Sequence, residues 1–114
     1  MNNRRFGIEG ENIAAHYLKR HGYNILERNF ACKTGEIDIV CEKKGTLVFV
    51  EVKSRENTLF GTPAEAVTPS KIRNIVRTAQ AYIVKNGRLN CPCRFDVVEV
   101  LRGEVNHIED AFRV

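Results

Sequence analysis

The chain has 114 residues, 43% of them apolar and 28% charged, with a formal net charge of +4 and an isoelectric point near 9.0. That length supports a single domain, 1–114, with one core. No apolar run approaches the roughly 20 residues of a membrane-spanning helix, and Met1-Asn2-Asn3-Arg4-Arg5 has no apolar segment behind it, so a cytoplasmic protein is expected. The basic balance suits a polyanionic partner without specifying one.

From about Arg4 to His21 apolar residues recur at helical spacing (Phe6, Ile13, Ala14, Tyr17, Leu18), and Gly22 ends the helix. Tyr23 to Phe30 reads as a first strand. Glu36–Cys41 and Leu47–Ser54 follow as a second and a third. Arg55 to Val67 is irregular, with a short helical turn expected at Ala64-Glu65-Ala66. Thr68-Pro69 is an N-cap followed by proline at the first helical position, opening a second helix that runs to about Lys85. Arg94–Leu101 is an apolar strand, and Val105–Ile108 can pair with it through a turn at Arg102-Gly103. The order is αβββαβ, with room for one more strand. No repeat, low-complexity tract or linker interrupts it.

The second and third strands carry the chemistry. Gly35-Glu36-Ile37-Asp38-Ile39-Val40 holds acids in an apolar segment, and Val48-Phe49-Val50-Glu51-Val52-Lys53 places a Glu-x-Lys in the next. Charges inside buried strands are rare unless they are paired or hold a metal. The intervening Lys43-Lys44-Gly45-Thr46 predicts a hairpin. A two-residue or a four-residue loop gives the same register, in which Asp38 faces Glu51 and Glu36 faces Lys53. Opposed residues share a face with Cβ atoms about 4.5–5.5 Å apart. Strand alternation puts Val48, Val50 and Val52 on the other face. Asp38, Glu51 and Lys53 therefore converge.

Two adjacent carboxylates repel, and a cation between them relieves the repulsion. A hard ion such as Mg²⁺ takes one or two protein carboxylates with water and phosphate oxygens. Lys53 beside them can position a water or stabilise charge on a phosphate. The plainer alternatives are a cross-strand salt bridge for Lys53 and an ion pair for Asp38. Glu11 borders the apolar stripe of the first helix, where its carboxylate can face the sheet; the alternative is a solvated helix-flank acid. Lys71, Arg73 and Arg77 on the second helix, and Arg55 after the third strand, are candidate nucleic-acid contacts. Each could equally be part of a solvated basic face. Lys71 lies in the first helical turn, beside free backbone N–H groups. Of four cysteines, Cys41 falls on an apolar strand face, and Cys91-Pro92-Cys93 lacks the C-x₂₋₄-C spacing usual for zinc.

Taken together, these motifs resemble a known pattern. A glutamate on the first helix, an aspartate on the second strand and Glu-x-Lys on the third look like the PD-(D/E)xK nuclease superfamily. Gly10-Glu11-Asn12-Ile13-Ala14, Gly35-Glu36-Ile37-Asp38, Val48–Lys53, Pro63-Ala64-Glu65-Ala66-Val67, Thr68-Pro69-Ser70-Lys71 and Arg94-Phe95-Asp96-Val97 resemble the YraN-type endonuclease-like family, related to archaeal Holliday-junction resolvases. The likeness covers nearly the whole chain. Ile37 stands where the superfamily motif has proline. The resemblance implies an α/β fold, a mixed β-sheet flanked by helices with an αβββαβ restriction-endonuclease-like core. It implies catalytic roles for Glu11, Asp38, Glu51 and Lys53, with Asp38, Glu51 and Glu11 as metal ligands.

The expected function is a Mg²⁺- or Mn²⁺-dependent endonuclease hydrolysing phosphodiester bonds in DNA, with branched or damaged DNA as candidate substrates. One domain carries one active site, so cutting both strands calls for a homodimer or two events. The competing readings are a non-catalytic nucleic-acid-binding module and an accessory subunit of a DNA-processing complex.

Overall fold

The computed structural model describes residues 3–55 and 68–113. The expected turn at Ala64–Ala66 lies outside them. The chain forms α1 (Asn3–Arg20), β1 (Asn24–Cys32), β2 (Gly35–Lys43), β3 (Thr46–Arg55), α2 (Pro69–Lys85), β4 (Cys93–Leu101) and β5 (Glu104–Ile108). Every expected helix and strand outside the undescribed stretch is present, β5 included.

Local chemistry sets the boundaries. Gly22 takes a φ of 87°, and the Tyr23 and Gly22 N–H groups donate to Leu18 and Lys19 carbonyls at 3.0 and 3.2 Å. This pair of hydrogen bonds closes α1 on its last turn, with Leu18 and Tyr23 packed in one cluster. At the start of α2 the Thr68 hydroxyl accepts from the Lys71 N–H at 3.2 Å, and Pro69 occupies the first turn, where its missing N–H costs nothing. Lys44 and Gly45, with φ of 52° and 81°, make the two-residue hairpin turn whose backbone matches strand twist.

The five strands form one sheet in the order β1-β2-β3-β4-β5. All neighbours are antiparallel except β3 and β4, which run parallel. Parallel pairing requires a crossover, and α2 lies on it. The pair straddling the β2–β3 turn is Lys43 with Thr46, and the last paired residues are Ile39 and Val50. The predicted register holds, yet the ladder stops one step before Asp38 meets Glu51.

The sheet is covered on both sides. Ala14, Ala15 and Leu18 of α1 pack with Ile39, Cys41, Val48, Val50, Val98 and Val100. Ile75, Ala79 and Tyr82 of α2 pack with Val40, Leu47, Phe49, Phe95 and Val97. Burial from both sides explains why Leu47 to Val50 form a continuous apolar run rather than an alternating one. It also explains what changes along β3. On the α2 face the sequence reads Leu47, Phe49, Glu51, Lys53, apolar under the body of α2 and charged under its beginning. Among the described residues no helix is long and apolar enough to cross a membrane.

Candidate active site

A helix returning from a parallel strand starts near that strand's C-terminal end, where ligand sites of α/β sheets form. Here that end carries Glu51 and Lys53, and the first turn of α2 brings Lys71 onto them. The Lys71 ammonium lies 2.9 Å from Glu51 Oε1, and the Lys53 ammonium 3.4 Å from the same oxygen. The Glu51 side chain is only 12% exposed, so its attraction to both lysines is weakly screened. Burial, then the neighbouring Lys71, holds the Lys53 pKa below its ordinary value. Burial opposes the Lys71 ammonium too, but Lys53 and Glu51 outweigh it and hold Lys71 above. Of the two, Lys53 gives up its proton first.

Asp38 enters from β2. Its Oδ2 accepts the Val52 N–H at 2.8 Å, so a side chain takes the β3 donor beyond the last paired residues. This replaces the expected direct opposition of Asp38 and Glu51, and Glu36 stays exposed rather than facing Lys53. Burial, followed by the charge of Glu51, pushes the Asp38 carboxyl up to about 7, against the pull of the Val52 N–H; Glu11 and Glu36 add to the rise. Among the described residues no lysine or arginine forms an ion pair with Asp38, so the ion-pair alternative is not seen.

Asp96 shows what a satisfied buried aspartate looks like. Its side chain is 0% exposed. Arg94 donates to both its oxygens at 2.8 Å, His107 lies 2.7 Å from Oδ2, and the Asp110 N–H donates to Oδ1 at 2.9 Å. Burial works against its charge, but these donors win and hold its pKa below the usual range. Asp96 ties β4 to β5 and the chain beyond. Among the described residues Asp38 has one hydrogen-bond donor and three acids around it, with the charge of Lys71 as its cationic neighbour. Evolution tolerates such strain where a site uses it.

Glu11 does face the sheet, as its place on the wheel suggests. It is held there by β1: Arg28 donates to Oε1 through Nε and Nη2 at 3.2 Å each, and Asn29 Nδ2 donates at 2.9 Å. Its charge reaches Asp38, while its carboxylate is engaged by Arg28. Among the described residues no three His, Cys, Asp or Glu side chains make a ready-made ion cage. A hard divalent ion needs only one or two carboxylates. Asp38, overloaded with negative neighbours, fits that requirement, and Glu51 fits it once a lysine lets go.

Of the expected nucleic-acid contacts, Lys71 is in the site itself. Arg73 and Arg77 are exposed on α2. Arg55 lines a small pocket of about 140 Å³ with Glu9, Gly10, Ser54 and Arg102, and neither Asp38 nor Glu51 lines it. Glu99 is a residue that sequence reasoning passed over. It is the register partner of Lys53 on β4, 6% exposed, and its Oε2 has no hydrogen-bond partner among the described residues. The signal was present: an acid inside a buried strand, the argument that singled out Asp38.

Residues 10–100 match the family model described as "Uncharacterised protein family UPF0102". The chain belongs to this family. It is 49% identical to a UPF0102 protein of Syntrophomonas wolfei, across 96% of this chain and 99% of the relative. It is 50% identical to one from Lachnoclostridium phytofermentans, across 98% and 96%, and 47% identical to one from Clostridioides difficile, across 98% and 100%. The span matched to UPF0102 contains Glu11, Asp38, Glu51, Lys53, Lys71 and Glu99.

That span begins at Gly10, and the packing gives a reason for glycine there. A Cβ at position 10 would lie 1.7 Å from Ser54 Oγ and 2.9 Å from Ser54 Cβ. Rotating the serine relieves the first clash but not the second. Gly10→Ala is therefore expected to push α1, with Glu11, away from β3. Urea denaturation should record a loss of about 1–3 kcal/mol; wild-type stability would show that α1 yields without cost.

Proposed function

We propose that the chain is a Mg²⁺- or Mn²⁺-dependent DNA endonuclease of the PD-(D/E)xK type, built around Asp38, Glu51 and Lys53. The observation that carries this reading is Asp38: a largely buried carboxyl pressed by Glu51, Glu11 and Glu36 and held, among the described residues, by the Val52 N–H and the charge of Lys71. A divalent ion held by Asp38 and Glu51 would supply Lewis-acid activation of the phosphate and of a bound water.

The protein's own groups do the rest. Val52 N–H fixes the Asp38 carboxylate at the end of the ladder. Lys53, half-buried and near another ammonium, is poised to take a proton from the attacking water as an amine. Lys71 and the exposed Arg73 and Arg77 offer positive charge to the strand's phosphates. Glu11 assists through its charge, and joins as a ligand only if it releases Arg28. A homodimer would place two such sites on two strands.

The test is cleavage of a panel of branched, nicked and single-stranded DNA with Mn²⁺ or Mg²⁺. Activity is expected in the wild type and expected to fall at least about 100-fold in Glu51→Ala. No cleavage of any substrate, together with no metal binding in the presence of DNA, would sink the reading. The non-catalytic module would then stand, favoured by the lysine pair already neutralising Glu51; it predicts salt-sensitive DNA binding that Glu51→Ala leaves intact.

A further inference from the structure

We propose that Lys71 is a built-in placeholder for the metal: its ammonium occupies Glu51 until a substrate phosphate draws it away, so that metal and DNA load the site together. This rests on the nuclease reading and adds a regulation to it.

Two ammoniums converge on one oxygen, Glu51 Oε1, at 2.9 Å from Lys71 and 3.4 Å from Lys53. A divalent cation brought to that carboxylate would meet both positive charges. One lysine must leave, and the two differ in freedom. Lys53 projects from β3 where the strand is still paired with β4, and its side chain is 22% exposed. Lys71 stands on the first turn of α2, and its side chain is 38% exposed.

Lys71 also has somewhere to go. Its own N–H is taken by the Thr68 hydroxyl at 3.2 Å, so the pull on a phosphate comes from side chains: the Lys71 ammonium, and Arg73 exposed two residues on. A phosphate approaching α2 is attracted by both cations. Moving the Lys71 ammonium from Glu51 to that phosphate removes a competitor from the metal position and creates a contact with DNA. Thermodynamic reciprocity follows: DNA tightens metal binding by the factor by which metal tightens DNA binding.

The test is calorimetric titration of Mn²⁺ into wild type, Lys71→Met and Glu51→Ala, each with and without a short phosphorothioate duplex that resists cleavage. In wild type the duplex is expected to tighten Mn²⁺ binding about tenfold. Lys71→Met is expected to bind Mn²⁺ about tenfold tighter without DNA and to lose most of that DNA effect. A fixed neighbouring charge would give the first change but leave the DNA effect intact, and that outcome overturns the placeholder. So does a Lys71→Met protein unchanged in both respects; if Glu51→Ala still abolishes Mn²⁺ binding, the nuclease reading survives alone. Absence of Mn²⁺ binding in every protein, with or without DNA, overturns both.

Discussion

Lys53→Met is expected to lower the rate of metal-dependent DNA cleavage about 10²–10⁴-fold while leaving DNA binding and overall stability near wild type. That range is the usual worth of a positioned general base. The ammonium sits 3.4 Å from Glu51 Oε1, so a water shared with a metal on Glu51 would be within reach. Burial and Lys71 lower its pKa, which raises the fraction present as the amine at any given pH. Cleavage should therefore rise with pH and level off below the ordinary lysine range. Lys53→Arg separates the two roles open to this residue. Arginine keeps the charge but does not deprotonate in a protein. A base is lost in both variants, whereas a charge that merely stabilises the phosphate survives in part in Lys53→Arg. Wild-type cleavage rates in Lys53→Met would remove Lys53 from the mechanism.

The same residues mark how far the sequence reaches. Features set by neighbours in the chain were legible: the hairpin register from Lys43-Lys44-Gly45-Thr46, and the start of α2 from Thr68-Pro69. Features set by long-range geometry were not. Nothing local says that the first turn of α2 lands on Glu51, because that depends on how residues 56–67 return the chain. Nor does it say that Arg28 and Asn29 hold Glu11, since that depends on how α1 lies over β1. The end of the ladder at Ile39 and Val50 was missed for a different reason. Pairing rules count backbone donors and acceptors, and Asp38 intervenes with a side-chain oxygen. Glu99 was overlooked because two charges in Phe95–Leu101, Asp96 and Glu99, look minor beside so many apolar neighbours.

Asp38→Asn is expected to stabilise the metal-free protein at pH 8 by about 2 kcal/mol, roughly 10 °C in melting temperature for a domain of this size, while abolishing cleavage. Asp38 has a folded pKa of about 7, against an ordinary value of 3.8. Between those values the folded state binds more protons than the unfolded state. Its contribution to stability is therefore complete below about pH 4 and is lost as pH rises through 7. The ceiling is about 4 kcal/mol if Asp38 titrates alone, and rearrangement of Glu51 and its lysines reduces it. Asparagine keeps an oxygen for the Val52 N–H and carries no charge, so it removes the cost and the pH slope together. The contrasting control is Asp96→Asn. That carboxylate is held below the usual range by its donors, so its stabilisation is present above the unfolded pKa and lost as pH falls through the folded one; losing the charge should destabilise the fold at pH 8. Mn²⁺ should raise the melting temperature of the wild type at pH 8 and not that of Asp38→Asn, because the ion relieves a repulsion that the variant no longer has. Thermal melts from pH 4 to 8 decide it. Equal stability of wild type and Asp38→Asn at pH 8, with parallel pH dependence, would mean that Asp38 is not strained, and the argument for a metal at this site would lose its main support.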